Sequence, residues 1–159
     1  MKKIIFLFLM FSAMLFAKWE VGTDYTTGGD TITTFTTYDI TDEAMMLIGV
    51  NVEGLGYSVI TIHLSYKIKK DDNLVLIVTD NEDNDINCRF HNDDIENYGI
   101  RMPAGRSTVL TKMLYNGKSA ILINKKTGKT LATFDLKGIK QIMQKHVGNS
   151  YWYKYKLND

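Results

Sequence analysis

From Tyr57 to Lys69 the chain reads YSVITIHLSYKIK. Ile60, Ile62, Leu64, Tyr66 and Ile68 alternate with Thr61, His63, Ser65 and Lys67. A period of two belongs to extended backbone, whose successive side chains leave by opposite faces. Wound as a helix, the same residues would scatter round the axis and leave no apolar stripe. One greasy face and one wetted face describe a strand half-buried in an antiparallel sheet. Such a sheet needs a second layer to cover it.

The flanking segments extend that reading. KKDDN at 69–73 closes a turn into LVLIVT, Leu74–Thr79, whose unbroken apolar run predicts a central strand covered on both sides. Upstream lie WEVGTDYTT, a turn at Gly28-Gly29-Asp30, the threonine-rich TITTFTTYDI, and MMLIGVNV before Gly54-Leu55-Gly56. Phe35 is out of phase with Ile32 and Tyr38, which predicts a bulge near Thr33 and Thr34. TITTFTT, if it lay at a sheet edge, would permit strand-to-strand pairing of a homodimer.

Helical spacing occurs only in the second half. In STVLTKMLYNGK, Val109, Leu110, Met113 and Leu114 form a stripe, with Ser107 placed to cap the start and Gly117 the end. SAILIN and TLATFD predict a hairpin around KKTGK, with Gly128 in its turn. LKGIKQIMQKHVG sets Leu136, Ile139, Ile142 and Met143 on one side of a second helix that stops at Gly148. The chain closes on SYWYKYKLND, in which Tyr151, Tyr153, Tyr155 and Leu157 alternate with Trp152, Lys154 and Lys156. The expected fold is mainly β, an antiparallel β-sandwich with two short α-helices in its C-terminal half.

The opening MKKIIFLFLMFSAMLFA has the plan of a secretory signal peptide. Lys2 and Lys3 precede an apolar run from Ile4 to Phe16, and Ala17 supplies the small residue at the cut. Thirteen apolar-dominated residues fall short of the roughly twenty that span a bilayer. The expected organisation is a signal peptide over 1–17 and a single β-sandwich domain over 18–159, periplasmic or secreted, with no transmembrane segment after cleavage. A domain of that length buries enough surface to fold without disulfides or metals. Cys88 is the only cysteine, so no intrachain disulfide forms. Its phase with Ile86 and Phe90 makes it a small core-facing hydrophobe.

TDNEDNDINCRFHNDD, Thr79–Asp94, carries six carboxylates, the cysteine and a histidine. Asp83-x-Asp85-x-Asn87 opens like a calcium loop, and Asp94 stands at its twelfth position. The sixth position, which needs glycine for a sharp turn, is Cys88, and the twelfth is Asp where a longer bidentate Glu is wanted. A looser cation site on Asp83, Asp85 and Asp94 is one reading. Two polar turns flanking a short strand is the other, and the residue types favour it. No cofactor is expected.

Catalytic signatures are thin. Gly128-Lys129-Thr130 ends like a phosphate-binding loop, but the glycine that motif needs at 123 is Ile123. H-E-x-x-H, C-x-x-C and G-x-S-x-G are all absent from the sequence. His63 with Ser65 and a carboxylate is the one triad that could be built, and His146 at a helix end suits the helix dipole.

Charge is the more telling feature. From Lys18 to Gly99, five Lys or Arg meet sixteen Asp or Glu, a balance of −11; from Ile100 to Asp159, twelve meet two, a balance of +10. The basic half predicts a partner-binding surface of Lys137, Lys140, Lys145, Trp152, Lys154 and Lys156. Its partner would be a protein or an anionic glycan or lipid surface, nucleic acid being scarce outside the cytoplasm.

The stretch IRMPAGRSTVLTKMLYNGKSAILINKKTGKTLATFDLKGIKQIM resembles the C-terminal half of the invasion-associated locus B proteins. In those exported β-sandwich proteins a Leu-x-x-Leu-x-x-Gly helix leads to a hairpin and then a Leu-Lys-Gly helix start. The matching residues are Leu110, Met113 or Leu114, Gly117, Leu136, Lys137 and Gly138, and Trp19-Glu20-Val21 fits the opening. The family usually carries several cysteines where this chain has one. The resemblance implies an exported sandwich and brings no catalytic residues. The expected function is therefore non-enzymatic binding, of an inhibitor or immunity type. The alternative is a small periplasmic hydrolase using His63 or His91 with nearby carboxylates.

Overall fold

The computed structural model describes residues 19–52 and 56–148. The signal-peptide expectation for 1–17 and the tail residues Trp152, Lys154 and Lys156 lie outside the described residues. The described chain forms ten strands: β1 (Glu20–Tyr25), β2 (Thr31–Tyr38), β3 (Ala44–Asn51), β4 (Tyr57–Leu64), β5 (Leu74–Asp80), β6 (Asp85–Arg89), β7 (Ile95–Glu96), β8 (Gly99–Met102), β9 (Gly117–Asn124) and β10 (Lys129–Asp135). Two α-helices, α1 (Ala104–Tyr115) and α2 (Ile139–Val147), and one 3-10 turn at Asn92–Asp94 complete it. One sheet runs β1-β2-β3-β4-β8-β7 and the other β10-β9-β5-β6, with every pairing antiparallel. This is the expected mainly-β sandwich with two helices in its C-terminal half. Among the described residues no helix is long and apolar enough to cross a membrane.

Register shows why the sheets face each other. Ile60 pairs with Ile48, Ile62 with Met46 and Leu64 with Ala44, so one face of β3 and β4 is apolar throughout. With Phe35, Ile100 and Met102 it meets Leu74, Leu76, Val78, Ala120, Leu122 and Phe134 of the second sheet in one buried cluster. Each fully buried aliphatic or aromatic side chain there contributes about 1.5–3 kcal/mol of transfer free energy. Val75, on the other face of β5, is buried too, while Ile77 is half-buried, so the cover expected on both sides of LVLIVT is partial.

Four local expectations are corrected. β4 stops at Leu64, because its pairing with β8 ends at His63 opposite Gly99. Ser65 N–H then bonds Glu43 O, and Ile68 returns to the core with its N–H on Asn97 O. β2 has no bulge: it runs in register with both β1 and β3, and Phe35 points inward beside Thr37. TITTFTT therefore lies between two strands, and among the described residues β1 is the edge.

The fourth correction concerns α1, which starts three residues before Ser107. Pro103 precedes it with φ −65°, a ring that ends strand β8 and suits a helix entry. Ser107 is buried in the helix, where its Oγ accepts Ile60 N–H at 3.1 Å and donates to Met102 O at 3.1 Å. Thr108 Oγ1 accepts Ser58 N–H at 3.0 Å, and Thr111 Oγ1 lies 2.7 Å from Ser58 Oγ. β8 pairs with β4 only from Ile60 to His63, so these hydroxyls take over the ladder where the strand leaves off. Burying that polar face turns Val109, expected in the apolar stripe, out to solvent. Asn116, not Gly117, closes the helix. Gly117 opens β9, where an added Cβ would lie 2.8 Å from both Leu136 Cδ1 and Val78 Cγ1.

Candidate functional site: a basic cleft at the start of α2

A cavity of about 280 Å³ opens where the turn after β5, the end of α1, the start of β9 and the start of α2 meet. Lys118, Lys137 and Lys140 line it, with Asn81, Tyr115 and Gly138. Each reaches it for a local reason. Thr79 pairs with Ser119 but Asp80 with Gly117, so Lys118 is the extra residue of a β-bulge. A bulge re-aims the side chain it carries. Gly138 caps α2 with φ +83°, a conformation that side chains disfavour, and turns the chain sharply from Lys137 into the helix. Trp19 Nε1–H donates to Lys137 O at 3.2 Å, tying the chain entering β1 to this wall. Lys140 Nζ stands 5.4 Å from the centre of the Tyr115 ring, a cation–π contact that holds it over the cleft.

The electrostatics favour an anion. The first turn of α2 has no acidic residue, so the positive end of its dipole is not neutralised there. Lys118 pairs with Asp83, and both groups are exposed, so that contact is worth under about 1 kcal/mol and is readily exchanged. Asp83 sits in a turn organised by Asp80, whose Oδ1 accepts Glu82 N–H at 2.8 Å and Asn84 N–H at 2.9 Å. Hydrogen bonds from the Asn84 backbone and side chain hold the Asp80 carboxyl below its usual range. Asn81 Nδ2–H donates to Asn116 O at 3.2 Å, fixing the turn against the end of α1.

Of the residues expected to bind a partner, the fold brings Lys137 and Lys140 together and places Lys145 in the last turn of α2. Five residues separate Lys145 from Lys140, about 7–8 Å along the axis. Trp152, Lys154 and Lys156 are outside the described residues. Lys118, Asn81 and Tyr115 were not legible as site residues, since a bulge and a meeting of distant segments leave no mark in local spacing.

The acidic stretch is a turn, a short strand and a second turn. Asp85 accepts from Thr79 Oγ1 at 2.7 Å. Asp94, buried at the far end, accepts from Arg106 Nη1 at 2.6 Å and from His91 N–H at 2.8 Å. Asp83, Asp85 and Asp94 thus serve three separate contacts, and among the described residues no group of three His, Cys, Asp or Glu could hold a metal ion. Cys88 is half-buried against the core, and burial pushes its thiol up. His63 and Ser65 are exposed, as is His91, and neither histidine lines the cleft. His146 is exposed too, packing edge-on to Phe35 at 6.4 Å.

The fold and cleft together define a two-layer antiparallel sandwich with a lysine-lined pocket at its helical end. Compared with known proteins, the chain matches no protein-family model, no curated protein and no solved structure.

Proposed function

We propose that the protein is an exported, non-enzymatic binding protein, periplasmic or secreted, of the inhibitor or immunity type. Its cleft receives one anionic group of a protein, glycan or lipid partner. The observation that carries this reading is the convergence of Lys118, Lys137 and Lys140 on one cavity beside the amino end of α2. Amide donors and a positive helix end suit a carboxylate, sulfate or phosphate. The signal-like leader and the resemblance to exported sandwich proteins support the compartment. A compact pocket, as opposed to a long basic stripe, fits a single anionic group better than a nucleic-acid backbone. The alternative, a hydrolase on His63 or His91, needs catalytic groups that converge in a pocket. The cleft contains neither histidine.

The test is calorimetric titration with a sulfated oligosaccharide and with an acidic peptide, at low and high salt. The expected result is salt-sensitive binding of one of them, weakened at least about tenfold by Lys118→Gln with Lys140→Gln. Binding unchanged in that double variant, or no binding together with hydrolytic turnover lost in His63→Ala or His91→Ala, would overturn the proposal.

A further inference from the structure

Among the described residues β1 is the outer strand of the six-stranded sheet, and all six of its residues are exposed. The second sheet has four strands and does not cover it. The other described edges are guarded. Ile40 N–H bonds Thr133 O on β10, Arg106 Nη2–H bonds Arg89 O on β6, and β7 has two residues. β1 has no lysine, no proline and no bulge; of the devices that ordinarily blunt an edge it carries only the charges of Glu20 and Asp24.

Thr26 N–H bonds Asp30 O at 2.9 Å, one step beyond the Tyr25–Thr31 pair. An antiparallel ladder alternates, so the backbone groups of the even residues face β2 and those of Val21, Thr23 and Tyr25 face away. Tyr25 shows the outward direction: its N–H takes the carboxylate of Asp24 at 2.8 Å. On the face shared with Phe35, Val21 and Tyr25 remain 36% and 68% exposed.

We infer that β1 pairs antiparallel with β1 of a second copy of this chain, about a two-fold axis at Thr23. Outward-facing residues must meet outward-facing residues, which leaves registers two residues apart. Centred on Gly22, Val21 would stand opposite Thr23 of the partner subunit, so the two exposed apolar side chains would not meet. Centred on Asp24, that carboxylate would face its own copy. Like charges directly opposite are destabilising. Centred on Thr23, Val21 lies opposite Tyr25 of the partner subunit, Gly22 opposite Asp24 and Glu20 opposite Thr26. This register pairs the two exposed apolar side chains with each other and separates the carboxylates. It joins two six-stranded sheets into one continuous sheet through about six backbone hydrogen bonds, two of them from Tyr25 N–H groups that must first leave Asp24. The contact is much smaller than the roughly 1,600 Å² of a standard interface, so the dimer is weak and reversible. It does not depend on the basic cleft.

Sedimentation equilibrium from about 10 μM to about 1 mM spans the affinity expected of so small a contact. The protein, expressed from its full reading frame and purified as its host processes it, is expected to form a dimer and no larger species. Thr23→Pro removes an outward N–H and no bond to β2. Val21→Lys with Tyr25→Lys sets like charges opposite each other on exposed positions. Each variant is expected to weaken the dimer at least about tenfold with an unchanged unfolding midpoint. Two results overturn the inference: a monomer throughout the range, whether or not it captures an extended peptide, or a dimer that neither variant weakens.

Discussion

Ser107→Ala tests whether a helix substitutes for a strand. Ser107 is fully buried, and its single oxygen serves two backbone groups, Ile60 N–H and Met102 O, each at 3.1 Å. Ile60 and Met102 form the last pair of the β4–β8 ladder, so no further strand residue lies beyond to replace the hydroxyl. Leaving a buried backbone group without a partner costs about 1–3 kcal/mol, and an alanine here strands one donor and deprives one acceptor. The expected loss is about 2–4 kcal/mol, or roughly 5–12 °C in melting temperature for a domain of this size. Thr108→Val removes a similar hydroxyl bond at a half-buried position, where water can replace it, and should cost under about 1 kcal/mol. Urea unfolding by circular dichroism, with unchanged slope, measures both. A loss below about 0.5 kcal/mol in Ser107→Ala, or the larger loss in Thr108→Val, refutes the substitution argument.

Three other outcomes follow from packing and charge. Gly117→Ala forces a methyl into side chains 2.8 Å away and is expected to cost about 1–3 kcal/mol in thermal unfolding; a neutral result would mean Leu136 and Val78 yield freely. Arg106→Gln leaves Asp94 buried without its guanidinium. Because Arg106 is partly exposed, the expected cost by denaturant titration is about 1–3 kcal/mol, below that of a fully buried pair, and an unchanged midpoint refutes it. Burial raises the Cys88 thiol against a smaller opposing pull from Arg106, so less thiolate is present at neutral pH than in a free cysteine. Its reaction with a thiol reagent at pH 7 should be slower than in the unfolded chain and should accelerate as the pH rises; equal rates refute the burial argument.

Much of the fold was legible because burial here follows period-two alternation. Ile60, Ile62 and Leu64 face inward as their spacing demanded, and Gly128 turns the β9–β10 hairpin with φ +71°. Ile139 and Met143 bury one side of α2, ahead of the positive-φ Gly148 that ends it. The failures share a cause. Ser107 and Thr111 are polar yet buried, because Ser107 bonds the backbone of a strand some fifty residues away and Thr111 meets the Ser58 hydroxyl of the same strand, and hydropathy ranks both as surface. Phe35 looked out of step because its inward neighbour is Thr37, a polar residue that is 2% exposed. The cleft was half legible. Lys137 and Lys140 stood out by charge, but Lys118 enters through a bulge set by pairing with Asp80, which only the three-dimensional register reveals.

The joint between β8 and α1 limits how this chain can lengthen over time. One edge of β4 is held by a strand up to Met102 and by helix side chains from Ser107 onward, with Pro103 between them. An extra residue at that corner would rotate Ser107 and Thr108 by about 100° away from the amides they serve. The tip at 125–128, whose residues are all exposed, carries no such constraint, and inserted sequence or an affinity tag belongs there.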